Sequence, residues 1–319
     1  MNTPQLRPLG TTGLRIAPLV LGGNVFGWTI DEQRSFEVLD AFVDAGFNAI
    51  DTADSYSRWV PGHQGGESET IIGNWLRANP GKRERVLIFT KVGSDMGEGR
   101  KGLSASWIAR AVEDSLQRLR IEAIDLYQAH WPDPNTPIEE TLSAFDKLLR
   151  QGKVRAIGAS NYDVAQLKDA LAVAGERELP RYATLQPEYN LYDRQGFEGG
   201  LQRLCVRERL GVITYFSLAA GFLTGKYRSK ADQAKSPRGA GIEKYLTPRG
   251  ERILGVLDQV AKRREAAPAE VALAWVLAQE GITAPIASAT SQAQLASLVK
   301  ASRLELSAED LQQLSDTGP

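Results

Sequence analysis

The feature that most limits the fold of this chain is an alternation. Short apolar runs at 17–22, 48–51, 85–90, 124–130, 154–160, 182–186, 212–215 and 282–287 are interleaved with stretches of helical period. A strand that feeds a helix before the next strand returns parallel, so the pattern implies a parallel sheet. Eight such units predict a closed (β/α)8 barrel.

The local signals agree. Leu6 to Leu9 and Leu14 to Ile16 flank Gly10-Thr-Thr-Gly13, which predicts a small hairpin before the barrel. Asp31 is placed to cap a helix carrying Phe36, Leu39, Phe42 and Val43 on one face, with Gly46 ending it. A further helix, from about Ser68, turns Ile71, Ile72, Trp75 and Leu76 inward. Ile108, Val112, Leu116 and Leu119 recur at helical spacing. Thr136-Pro137-Ile138-Glu139 has the form of a capping box with Pro first in the helix that carries Leu142, Phe145 and Leu149. Other helices are expected near 163–174, 198–209, 249–265, 268–279 and 291–300. Ser307 opens a short C-terminal helix. Segment 228–246 reads as an irregular loop, and loops that long are usually functional or mobile. With no linker visible, one domain over 1–319 is expected.

Composition closes off several classes. A net charge of -1 provides no basic field for nucleic acid or an acidic membrane. No run approaches the ~20 apolar residues of a membrane span, and the start Met-Asn-Thr-Pro-Gln-Leu-Arg-Pro has no leader-like apolar run. The single cysteine, Cys205, rules out an internal disulfide framework, and its helical setting argues against a thiol nucleophile. His63 and His130, the only histidines, form no short-spaced ligand pair, so no metal site is expected. The expectation is a cytoplasmic protein acting on a small molecule, with no nucleic-acid or membrane partner, as a monomer or weak homo-oligomer.

Barrel enzymes place their chemistry at the C-terminal strand ends. Six successive ends here are polar: Asp51, then Lys91, His130-Trp131, Ser160-Asn161, Gln186 and Tyr215. Tyr56 follows Asp51 in a polar loop. Taken singly, Asp51 reads equally as a helix cap, Lys91 as a solvated lysine and His130 as structural. Together they read as machinery for protonating a carbonyl. Tyrosine titrates near ~10, and an adjacent ammonium is expected to lower that value. Asp51 would hold Lys91 charged, His130 would orient the carbonyl, and Tyr56 would supply the proton. Trp28, Trp59 and Trp131 follow strands one, two and four and are candidate walls of a substrate pocket, with core packing as the plainer reading.

The motifs Phe-Asn-Ala-Ile-Asp51-Thr-Ala-Asp-Ser-Tyr56, Phe-Thr-Lys91, Leu-Tyr-Gln-Ala-His130-Trp, Ile-Gly-Ala-Ser160-Asn161, Leu-Gln186-Pro-Glu-Tyr-Asn190 and Gly221-Phe-Leu-Thr-Gly-Lys226-Tyr resemble the aldo-keto reductase superfamily over nearly the whole chain. The resemblance implies a (β/α)8 barrel that reduces aldehydes and ketones with NADP(H), NAD(H) being the other nicotinamide cofactor it allows. By similarity, Tyr56 is the proton donor, Lys91 and Asp51 tune it, and His130 orients the carbonyl. Gly23, Asn24 and Asp51 would lie along the cofactor. Ser160, Asn161 and Gln186 would hold its carboxamide, and Tyr215 would stack on its ring. Ser217, Leu218, Gly221, Leu223, Thr224, Gly225 and Lys226 would cradle the pyrophosphate, Gly221 and Gly225 allowing close backbone approach. Arg228, Ser288, Thr290 and Gln294 would meet the adenosine end. Two places depart from the family's pattern. Phe216-Ser217-Leu218 follows Tyr215 where Ser-Pro-Leu is usual, and Gln294 stands near the place where many members carry arginine or lysine.

Two other functions share parts of this pattern. A cofactor-binding, redox-sensing subunit resembling those beside potassium channels would have the same barrel and slow turnover, although the chain shows no long N-terminal extension. A metal-assisted barrel lyase or isomerase would lose activity to chelators.

Overall fold

A computed structural model describes residues 4–318. The leader reading of the first residues therefore rests in part outside the described residues. Eight parallel strands close into a barrel: β3 (Val20–Gly22), β4 (Ala49–Asp51), β5 (Leu87–Val92), β6 (Leu126–Ala129), β7 (Ile157–Ser160), β8 (Thr184–Gln186), β9 (Gly211–Thr214) and β10 (Ile282–Ala287). They neighbour one another in chain order, and β10 pairs with β3 to close the ring. Some strands are shorter than their apolar runs: Ile124 and Val154 meet only as an isolated bridge. Others run longer, and Lys91 lies inside β5 rather than beyond it.

The predicted hairpin is β1 (Arg7–Pro8) with β2 (Arg15–Ile16), antiparallel. It closes the N-terminal end of the barrel. Leu9 and Ile16 join Val20, Ala49, Phe89, Leu126, Ile213, Ala284 and Ile286 in the interior apolar cluster. Gly10, at φ 55°, is required there, since a Cβ would stand 2.3 Å from the amide nitrogen of Gly211.

The second apolar layer lies between strands and helices, as the α-periodic faces require. Those helices are α1 (Glu32–Asp44), α2 (Glu67–Ala78), α3 (Ala105–Leu119), α4 (Ile138–Arg150), α5 (Val164–Glu176), α6 (Gly200–Arg207), α7 (Pro248–Arg263), α8 (Pro268–Leu277), α9 (Gln292–Ala301) and, outside the barrel, α10 (Ala308–Ser315). Asp31 caps α1 by accepting from the amide of Arg34, and Ser307 caps α10 within a capping box. The box expected at Thr136 does not form. Pro137 is itself the cap residue of α4, and the Thr136 hydroxyl donates to Asp133 instead.

Segment 228–246 is also more ordered than expected. It folds into 3-10 turns over Lys230–Lys235 and Gly239–Tyr245, anchored by buried Ile242 and Tyr245. Cys205 lies fully buried in α6, where burial pushes its thiol up to about 12. Among the described residues, no helix is long and apolar enough to cross a membrane.

Candidate active site

Strand side chains alternate between the two faces of a sheet. Asp51, Lys91, Gln128 and Tyr215 each stand two residues beyond an inward apolar residue, respectively Ala49, Phe89, Leu126 and Ile213. They must therefore point into the mouth of the barrel, and His130 stands two residues beyond Gln128. This inward polar row at the C-terminal end is the candidate site.

At its centre, the Lys91 ammonium donates to three oxygens: Asp51 Oδ2 at 2.6 Å, the Thr52 carbonyl at 2.8 Å and the Tyr56 hydroxyl at 3.0 Å. Asp51 Oδ1 accepts from the side-chain amides of Gln186 (2.9 Å) and Gln128 (3.3 Å). The Asp51–Lys91 pair is shut off from solvent, with exposures of 1% and 0%. Burial pushes the lysine pKa down, but Asp51 and Tyr56 outweigh it and hold the value above the usual lysine range.

Tyr56 comes from the loop after β4. Its neighbour Ser57 adopts φ 73° and donates its hydroxyl to the Phe26 carbonyl at 2.8 Å, which pins this loop to the one after β3. The sequence-based expectation for Tyr56 has to be corrected. Burial pushes its pKa up, and the Lys91 charge only partly offsets that, so the resting phenol is held protonated. The His130 ring centroid lies 6.1 Å from that of Tyr56. Burial, then the Lys91 charge, press its pKa well below the usual histidine value, so the ring is neutral. Ser94 Oγ lies 2.8 Å from His130 Nδ1.

The residues expected to hold a carboxamide are brought together. Ser160 donates to the Gln186 carbonyl at 2.9 Å. Asn161, at φ 63°, donates to the His130 carbonyl at 2.9 Å, and Tyr215 donates its hydroxyl to Asn161 Oδ1 at 2.6 Å. The side-chain amide nitrogen of Gln186 donates to Asp51 and Gln128, which fixes the orientation of its side-chain carbonyl.

The segment after β9 has a backbone suited to phosphate. Phe216, Ala219 and Ala220 take φ of 49°, 49° and 55°, and Gly221 and Gly225 take 96° and 77°. A change of backbone hand, as where left-handed Ala220 and Gly221 meet the helical remainder of the 3-10 turn Ala219–Thr224, can aim successive amide N–H groups into an anion-binding concavity. Non-glycine residues there cost on the order of 1–3 kcal/mol each and persist where surrounding structure enforces them. Side chains contribute less than backbone. Ser217 turns its hydroxyl back to the Thr214 carbonyl, Thr224 donates to the Gly221 carbonyl, and Leu223 is buried. Lys226 is exposed and lies 4.8 Å over the Tyr227 ring, whereas Arg228 is tied to Asp258 at 2.8 Å and to the Gly225 carbonyl.

At the seam between β10 and β3, Ser288 donates to Asn24 Oδ1 at 2.5 Å. Gly23 packs so tightly that a Cβ would lie 2.9 Å from Ser68 Oγ and 3.2 Å from the Asp51 carbonyl. Gln294 Oε1 accepts from the Thr290 amide and hydroxyl, closing that loop on itself. The three tryptophans ring the mouth. Trp59 lies 5.4 Å from Trp28 and 5.9 Å from Tyr56, while Trp131 stacks on His130 at 6.0 Å. Trp59 and Trp131 are each 49% exposed, so neither is a core residue.

Gln128 and Ser94 were not anticipated as site residues. A signal existed for Gln128, an amide at an inward position inside the apolar run Leu-Tyr-Gln-Ala. None existed for Ser94, which sits in an ordinary polar loop.

Fold and site together define a (β/α)8 barrel with a buried acid–lysine pair wired to a tyrosine at the C-terminal ends of its strands. The chain belongs to the Aldo/keto reductase family, whose model matches residues 18–318. It is 37% identical over 318 residues to a Bacillus subtilis protein named uncharacterized oxidoreductase YrpG, covering 98% of this chain and 95% of that one. It is 34% identical over 300 residues to the aldo-keto reductase YhdN of the same organism, covering 91% and 85%. A probable voltage-gated potassium channel subunit beta of Oryza sativa subsp. japonica is 32% identical over 304 residues, covering 93% and 90%. Membership of this family implies oxidoreductase activity, generally with a nicotinamide nucleotide.

Proposed function

We propose that this chain, acting as one domain, reduces aldehydes or ketones to alcohols with NADPH, and catalyses the reverse oxidation. The observation that carries the reading is the contact of the Lys91 ammonium with both Asp51 and the Tyr56 hydroxyl. The turns between Phe216 and Gly225, with left-handed residues at Phe216, Ala219, Ala220, Gly221 and Gly225, fit the phosphates of a dinucleotide, and Tyr215 with Ser160 and Asn161 fits its nicotinamide end. Such a cofactor supplies the hydride that adds to the carbonyl carbon.

The chain's own residues handle the proton. Tyr56, kept protonated by burial, gives its proton to the carbonyl oxygen as negative charge develops there. Lys91 then stabilises the phenolate by the hydrogen bond already in place. Asp51 keeps Lys91 charged and aimed, and the two glutamines keep Asp51 aimed. The neutral His130 ring carries one N–H. The Ser94 hydroxyl, 2.8 Å from Nδ1, can donate to it, and in that tautomer the ring proton is on Nε2 and available to the substrate oxygen. Trp28, Trp59 and Trp131 wall the substrate space, and the protein works in the cytoplasm as a monomer or weak homo-oligomer.

The likeness to the rice channel subunit supports a second reading, a cofactor-binding sensor with little turnover. Steady-state reduction of a panel of aldehydes and ketones, followed by nicotinamide absorbance, separates the two. Turnover is expected across several compounds. Tight nucleotide binding with negligible reduction of every compound would leave the sensor.

A further inference from the structure

Asn190 closes the motif Leu-Gln186-Pro-Glu-Tyr-Asn190, lies in the loop after β8 and is shut off from solvent. A side-chain amide in such a place is stable only with its hydrogen bonds met. Its Oδ1 accepts from the backbone amides of Tyr192 and Asp193, each at 2.8 Å, in a local Asx turn. Its Nδ2 donates to the Asp193 carboxylate at 3.1 Å and to the Phe216 carbonyl at 3.0 Å. The two backbone amides can only donate, and the carboxylate and carbonyl can only accept. The side chain therefore has one orientation, with its N–H groups turned to Phe216.

That contact lands where the backbone needs support. Phe216 takes φ 49°, and a non-glycine residue persists there only where its surroundings enforce it. Its own ring is half exposed beside that of Tyr215, so side-chain packing does little to hold it. Among the described residues, Asn190 is the only side chain hydrogen-bonded to Phe216. The same carbonyl accepts from the Ala219 amide at 2.6 Å. Asn190 and Ala219 thus meet on one oxygen and close a turn whose two ends, Phe216 and Ala219, are both left-handed. Between them, the amides of Ser217 and Leu218 donate to no protein group among the described residues.

We infer that Asn190 is a positioning residue for nucleotide binding: by holding the Phe216 carbonyl, it keeps the Phe216–Ala219 turn formed and the Ser217 and Leu218 amides presented to the pyrophosphate. The inference rests on the dinucleotide reading and adds to it the side chain that forms the phosphate-facing backbone before the nucleotide arrives. Asn190 itself touches no reacting atom.

The experiment measures Kd for NADP+ and for adenosine 2′-monophosphate, which lacks the pyrophosphate, by tryptophan fluorescence. It adds kcat at saturating nucleotide, in wild type, Asn190→Asp, Asn190→Ala and Asp193→Asn. Asn190→Asp keeps the acceptor of the Asx turn and loses the donor to Phe216, so NADP+ should bind about 5- to 50-fold more weakly. Asn190→Ala should weaken it in the same direction. Adenosine 2′-monophosphate and saturated kcat should hold within about threefold in both variants. Asp193→Asn leaves the bond to Phe216 in place and should keep NADP+ binding within about twofold. In a Phe216→Gly background the loss from Asn190→Ala should shrink, because glycine takes positive φ without strain. Unchanged NADP+ affinity in Asn190→Asp and Asn190→Ala would overturn the inference. So would an equal loss for both ligands, a matching fall in saturated kcat, or a full loss in the Phe216→Gly background, since each describes a general stabiliser. If Asn190→Asp does not fold, Asn190→Ala in the two backgrounds still decides. A wild type that binds no dinucleotide would sink the dinucleotide reading and this inference together, whereas wild-type binding that Asn190 does not influence sinks the positioning role alone.

Discussion

Lys91 Nζ and the Tyr56 hydroxyl lie 3.0 Å apart, and the two groups are pushed towards the same protonation state, with the proton on each. Asp51 and Tyr56 keep the lysine charged against burial, while burial keeps the phenol neutral against the lysine. The pair therefore rests as a loaded acid beside the charge that will stabilise its conjugate base.

Removing the phenol should then remove the chemistry but not the binding. Tyr56→Phe is expected to lower kcat for carbonyl reduction on the order of 10²–10⁴-fold, the usual contribution of a general acid. Nucleotide affinity should stay near wild type, because the lost atom faces Lys91 and the barrel mouth. Turnover close to wild type in this variant would dismiss Tyr56 as the donor. The raised phenol also sets the pH profile: reduction should not decline until above pH ~10, the ordinary tyrosine value.

The Asp51–Lys91 pair should be as important to stability as to catalysis. Deleting one member of a buried ion pair strands the other, at a cost of roughly 3–5 kcal/mol. Asp51→Asn and Lys91→Met should each lose about that much in denaturant unfolding. The double variant should cost clearly less than their sum, since no charge is left stranded. Strict additivity would mean that the two groups do not depend on each other.

These relations show where the sequence is readable. Asp51, Lys91, His130 and Tyr215 could be placed because each follows an apolar run whose period fixes the inward face. The hairpin, the barrel order and the Asp31 and Ser307 caps follow from equally local rules. What escaped depends on contacts distant in sequence. Arg238 meets Trp28 across the barrel mouth, and only the packing of Gly239, Ile242 and Tyr245 puts it there. The direction of the Tyr56 shift was also hidden, because motif spacing reveals the neighbouring charge but not the burial that outweighs it. At Thr136 a local rule failed outright, since Asp133 offered its hydroxyl a competing acceptor.

His130 should leave a signature in stability against pH. Its folded pKa lies well below 6.5, so below that pH the unfolded chain binds a proton that the folded chain refuses. Stability is therefore lost as pH falls from about 6.5 towards the folded value, with a slope of up to about 1.36 kcal/mol per pH unit. His130→Gln removes this contribution. Unfolding free energies at several pH values between about 5 and 8 should show wild type with the steeper acid decline. Parallel curves for the two proteins would place a proton on the folded ring.

Cofactor choice should turn on Lys226. A 2′-phosphate carries more than one negative charge near neutral pH and calls for a cationic partner. Gln294 is engaged by Thr290, and Arg228 by Asp258 and the Gly225 carbonyl. Lys226 is exposed at the end of the segment after β9, its ammonium over the Tyr227 ring, and it pairs with no acid among the described residues. Wild type is thus expected to favour NADPH over NADH in kcat/KM. Lys226→Ala should shrink that preference more than Arg228→Ala, which must first break its own salt bridge to serve. Because Lys226 is solvent-exposed, added salt should weaken the wild-type preference and leave little further effect in Lys226→Ala. Equal or better use of NADH by wild type would refute the NADPH assignment. A preference that survives Lys226→Ala undiminished would move the contact to the hydroxyl and backbone groups around Ser288.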